Sequence, residues 1–139
     1  MLSDQEIKNF HRDGFLNAGK VLGDEQLLAL STALDKVIAR GSNLVGKNEP
    51  RPVSFREFEA IGDETPVIQI INMWEASAAF KQLIYHPDIV LAVSQLTGFK
   101  NLQVWHDQIQ YKPAGNGGPT TWHQDAPLWP SIEPMTPVS

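Results

Sequence analysis

Two kinds of apolar spacing divide this chain near Lys100. Before that point apolar residues return at helical intervals. Leu27, Leu28, Leu30, Leu34, Val37 and Ile38 fall at three- and four-residue steps, Gly23-Asp24 opens the run, and Gly41 stands where a helix ends. A shorter helix is expected from about Asp4 to Arg12, because Ser3 and Glu6 have capping-box spacing and Gly14 follows. Another is expected from Pro87, a residue suited to the first helical position, to Gly98. A helical patch covers Ala76 to Tyr85. Ser42 to Thr65 reads as loop, with one helical turn at Ser54 to Ala60. The exception is Pro66 to Trp74, whose β-branched residues predict a strand.

After Lys100 the pattern becomes extended. Leu102 to Tyr111 reads as one long strand, and Thr120 to His123 restarts it after the Gly-rich loop Pro113 to Pro119. Pro127, Pro130, Pro134 and Pro137 break the remaining stretch to Ser139. The expected class is therefore α+β in a single domain over residues 1–139, helical over 1–100 and strand-forming over 101–139. A sheet begun at Leu102 and left at Ser139 has an unpaired edge, so the chain reads as part of a larger domain.

Composition removes several function classes. There is no cysteine, which excludes disulfides, thiolate metal sites and cysteine nucleophiles. The 11 basic and 16 acidic residues give a net charge of -5, and the basic ones are scattered, which argues against a nucleic-acid partner. No apolar run is long enough for a membrane span. Met1 to Glu6 lacks the basic and apolar regions of a signal peptide, so a cytoplasmic location is expected. Oligomeric state is not legible.

The 4 histidines narrow the chemistry. His11, His86 and His123 each head a His-x-Asp triplet. On an extended chain residues i and i+2 share a face, so imidazole and carboxylate can converge on one ion. On a helix they diverge. His11 lies at a helix end and His86 at a helix start, where structural roles suffice. His106 sits among strand residues whose neighbours alternate faces, and reads as a packed or surface side chain. His123 and Asp125 follow a Gly-rich loop and supply two thirds of a 2-His-1-carboxylate set for non-haem Fe(II). On spacing alone a strand-end His bonded to a turn Asp fits equally well.

The stretch Gln108-Ile109-Gln110-Tyr111-Lys112-Pro113, its Gly-rich loop and Trp122-His123-Gln124-Asp125 resemble the phytanoyl-CoA dioxygenase family of Fe(II)/2-oxoglutarate oxygenases. Phe10 to Phe15, Val21 to Leu27 and His86 to Gly98 resemble that family's earlier segments in the same order. The resemblance implies helices packed on the first strands of a double-stranded β-helix, a cupin-like jelly roll, here incomplete. It implies hydroxylation of an unactivated C–H bond in a small organic substrate. Fe(II) would be held by His123, Asp125 and a distal His, with 2-oxoglutarate as cosubstrate. Gln108 falls where the family often contacts 2-oxoglutarate, and Gln69 near a position that carries Lys in some members. Gln110 and Lys112 are further cosubstrate candidates, and Trp122 and Trp129 candidate pocket walls. No His, Arg or Lys follows Asp125. The distal His and the cation for the cosubstrate's far carboxylate are thus missing, and about the N-terminal half of the family's domain is expected. The alternative is a non-enzymatic remnant, or a metal-binding or interaction module, with zinc completed by another subunit.

Overall fold

A computed structural model describes residues 1–41, 49–58, 66–114, 122, 123, 125, 127 and 129. Its elements run α1 (Asp4–Asp13), α2 (Asp24–Arg40), β1 (Ser54–Phe58), β2 (Val67–Ile71), α3 (Met73–Ala76), α4 (Ala78–Ile84), α5 (Pro87–Thr97) and β3 (Gln108–Tyr111). The class is α+β. The three strands form one antiparallel sheet in the order β1-β2-β3.

Local chemistry sets the helix ends. At α1 the Ser3 and Glu6 backbone N–H groups donate to each other's side chains, at 2.7 Å (Ser3 to Glu6) and 3.3 Å (Glu6 to Ser3). Gly14 closes the helix at φ +80°, a left-handed conformation that a Cβ disfavours. The Ser3 contacts hold the Glu6 carboxyl below its ordinary range, its backbone N–H contributing most. The N-terminus is tied down by α5: the Leu2 N–H donates to Gln95 Oε1 at 2.9 Å, and Gln95 Nε2 donates to the Leu2 carbonyl at 3.2 Å. Pro87 opens α5 and Gly98 ends it, as their positions predict.

The core lies where α2, β2, α3 and α4 meet. Val37, Ile68, Ile70, Met73, Ala76 and Phe80 form it, with Leu30, Ala33, Leu34, Phe55 and Ile109 packed on its rim. Ile70 and Met73 are 0% exposed and Val37 1%. Burial of each such side chain stabilises the fold by about 1.5–3 kcal/mol. Leu27 and Leu28 share the helical spacing of α2 but remain exposed near its start.

The structure corrects several sequence expectations. Ser54 to Phe58 is a strand, where a helical turn was predicted, because it pairs with β2 along its whole length. The segment 101–139 therefore does not hold the sheet alone: among the described residues, two of the three strands precede residue 100. The strand predicted over Pro66 to Trp74 ends at Ile71, where Asn72 turns at φ 58° and Met73 starts a helix. The long strand predicted from Leu102 begins only at Gln108. Before it, the carbonyl of Asp107 accepts from the Asn72 N–H at 2.9 Å and the chain has no strand partner among the described residues. Trp122 and His123 carry no strand assignment, and Thr120 and Thr121 lie outside the described residues.

Candidate functional site

Alternation along β2 sorts its residues onto two faces. Ile68 and Ile70 point into the core; Val67, Gln69 and Ile71 point the other way. The register carries this sorting across the sheet. Gln69 stands opposite Arg56 on β1 and Gln110 on β3, and Ile71 stands opposite Ser54 and Gln108. Three of the sequence-predicted cosubstrate residues, Gln69, Gln108 and Gln110, therefore share one face. Gln69 is half-buried, and Gln108 and Gln110 are exposed. Lys112 comes directly after β3 and is exposed.

Arg56 joins this face and was not among the sequence candidates. No local signal marks it, since Ser54 to Ala60 lacks a clear strand pattern and the residue's direction depends on pairing with β2. Only the short alternation Val53-Ser54-Phe55-Arg56 points to a strand, and Glu57 interrupts it.

His123 and Asp125 converge although neither sits in a described strand. His123 Nε2 lies 3.5 Å from Asp125 Oδ1, with side chains 49% and 38% exposed. Two ligands each about 2.1 Å from one divalent ion stand roughly 3.0–3.4 Å apart at right or tetrahedral angles. The pair thus fits two coordination positions of one ion with a shift of a few tenths of an ångström. Among the described residues no group of three or more His, Asp or Glu could hold a metal.

The Trp129 ring meets His106 edge-on, with centroids 5.3 Å apart, and His106 lies two residues before β3. Trp129 is half-buried, whereas Trp122 is fully exposed and walls nothing among the described residues. His106 serves as a packing partner, in keeping with its predicted role. His11 stacks edge-on against Phe10 at the end of α1, and His86 stands at the N-cap position of α5 without a side-chain cap bond; neither approaches Asp125 within ion-pair distance.

Asp107 is a second residue that sequence patterns did not single out. Its Oδ2 accepts from the Trp74 N–H at 3.2 Å, which caps α3 from 33 residues away. Asn72, the residue before α3, makes no side-chain cap of its own. Burial raises the Asp107 carboxyl above its ordinary pKa, against the backbone donors of Trp74 and Met73 that lower it. This carboxylate holds the β2–α3 corner against the start of β3.

An open groove of about 530 Å³ runs between α2 and the joint of α3 and α4, lined by Leu28, Ala29, Ala33, Lys36 and Ala76 among others. It includes none of the sequence-predicted site residues. Among the described residues no helix is long and apolar enough to cross a membrane.

Known proteins match most of the chain. The family described as Phytanoyl-CoA dioxygenase (PhyH) matches residues 10–139. An ectoine dioxygenase of Bordetella bronchiseptica is 25% identical over 130 residues, covering 92% of this chain and 38% of its own length. An ectoine dioxygenase of Bordetella parapertussis matches with the same identity and coverage, 25% over 130 residues. The chain therefore spans 38% of the length of the curated relatives it matches. No solved structure gives a significant match.

Proposed function

This chain belongs to the phytanoyl-CoA dioxygenase family, and on that footing we propose that it contributes to an Fe(II)/2-oxoglutarate-dependent oxygenase acting on a small organic substrate. The carrying observation is the 3.5 Å approach of His123 Nε2 to Asp125 Oδ1. The reading takes the sheet as the first strands of a jelly roll. Because the chain spans 38% of its relatives' length, the activity is proposed for the whole family domain to which these residues belong.

In this reading His123 and Asp125 hold Fe(II), a hard-to-borderline ion suited to one imidazole and one carboxylate. The bound iron, with 2-oxoglutarate and O₂, supplies the oxidising chemistry that hydroxylates an unactivated C–H bond. The chain's own residues orient and exclude. His123 must present the Nε2 lone pair, so its imidazole is neutral when it binds metal. Asp125 supplies an anionic oxygen beside it. Gln69, Gln108 and Gln110 offer amide donors from one sheet face to the cosubstrate's oxygens, and Lys112 adds a cation at the end of β3. Trp129, packed edge-on against His106, would wall the pocket on that side.

Anaerobic addition of Fe(II) and 2-oxoglutarate tests the reading. A metal-to-ligand absorption band should appear and should be lost in His123→Ala and in Asp125→Ala. Absence of a band, with metal affinity unchanged by His123→Ala, would overturn the assignment of this pair and favour a non-enzymatic module.

A further inference from the structure

The open face of the sheet combines charge, donors and apolar wall in a way surface packing does not require. Arg56, Gln69 and Gln110 form one row across the three strands, because each is the register partner of the next. Neighbouring strands lie about 4.8 Å apart, so the row extends over roughly 10 Å, the scale of a small metabolite. Val67 and Ile71, both half-buried, flank Gln69 on the same face. A few convergent polar groups among apolar residues is the usual composition of a small-molecule site.

The charge on this face is unbalanced. Arg56 is exposed and makes no ion pair or hydrogen bond among the described residues. Its cross-strand partner is an amide, whereas sheet stabilisation would favour a carboxylate opposite it. The adjacent carboxylate, Glu57, lies on the other face, opposite Ile68, and its Oε1 is 3.7 Å from where a Cβ on Gly41 would be. Arg56 is thus the one charged strand residue that alternation places on this face among the described residues, in a chain of net charge -5. A guanidinium is a planar fork that matches a carboxylate with two parallel hydrogen bonds.

We propose that this face is a carboxylate-binding platform in which Arg56 grips a small-molecule carboxylate and the amides of Gln69 and Gln110 take its remaining oxygens. As a recognition element for the oxygenase it rests on the proposed function. As an anion site it stands on the register and can be tested without iron. The carboxylate can come from the cosubstrate or from the organic substrate, and two probes separate these sources.

The experiment tracks the Arg56 Nε–H and the Gln69 and Gln110 side-chain amide resonances of the ¹⁵N-labelled, metal-free protein. It is titrated in turn with 2-oxoglutarate, N-acetylglycine and the neutral N-acetylglycinamide. At least one carboxylate should shift the three signals saturably, and the neutral amide should not. A response to 2-oxoglutarate alone assigns the cosubstrate; a response to N-acetylglycine assigns a carboxylate-bearing substrate. Arg56→Gln should weaken binding about tenfold or more, as expected for loss of a charge-assisted pair, and Arg56→Lys should restore part of it. Gln110→Leu should weaken it less. No shift with either carboxylate, or unchanged affinity in a folded Arg56→Gln, overturns the proposal. His123→Ala should leave carboxylate binding intact while removing metal binding, so the platform and the iron pair stand or fall separately.

Discussion

The two faces of β2 obey opposite rules. On one, Ile68 and Ile70 are 5% and 0% exposed and lock the sheet to α2, α3 and α4. On the other, one residue away, Gln69 meets Arg56 and Gln110 in an open polar row. The hydrophobic effect sorts the first face, where burial outweighs the entropy of ordering side chains. The second face is only half-buried along β2, so packing constrains its residues less. The same five residues thus divide between a packed face and an open one by alternation alone.

The contrast fails most severely if its centre is removed. Ile70→Ala should destabilise the fold by about 2–5 kcal/mol, measured by urea denaturation, since the void at a fully buried site cannot relax away. A loss below about 0.5 kcal/mol would mean that this face is not the organising core. A milder probe of the same face is Ile68→Val, expected to cost about 0.5–1.5 kcal/mol in the same assay.

Asp107 tests how the two faces are joined at their corner. Its folded pKa is raised, so the folded chain holds this proton more tightly than the unfolded chain. Its contribution to stability is therefore best below the ordinary aspartate pKa and is lost as pH rises through the folded value. Asp107→Asn keeps an oxygen to accept from the Trp74 N–H and removes the desolvated charge. Stability at neutral pH should hold or rise, and the falling step above the ordinary aspartate range should vanish from a plot of stability against pH. A wild-type profile with no such step would contradict the half-buried placement. The smallest effect belongs to the open face: Gln69→Ala should change stability by no more than about 0.5 kcal/mol. A larger loss would show that the polar row is structural.

Local motifs were legible in the sequence because their chemistry is local. Ser3 with Glu6, Pro87, Gly14 and Gly98 each satisfy or terminate backbone hydrogen bonds within one helical turn, and the helices begin and end there. The His123-x-Asp125 pair is equally local, since two side chains two residues apart can meet whatever the rest of the chain does. The strands were less legible. Leu102 to Asp107 has strand-forming residues but no strand partner among the described residues, while Ser54 to Phe58, a weaker pattern, is a strand because β2 lies beside it.

Residue order alone was enough for the α+β class, the ends of α1, α2 and α5, and the family. Three-dimensional pairing was needed to establish which residues share a face: Arg56 with Gln69 and Gln110, and Asp107 at the start of α3. The division comes from the range of the bonds involved. A cap or a His-x-Asp contact closes within a few residues. A strand's backbone groups are satisfied only by another strand, so its register and the direction of every side chain on it are fixed by residues far along the chain.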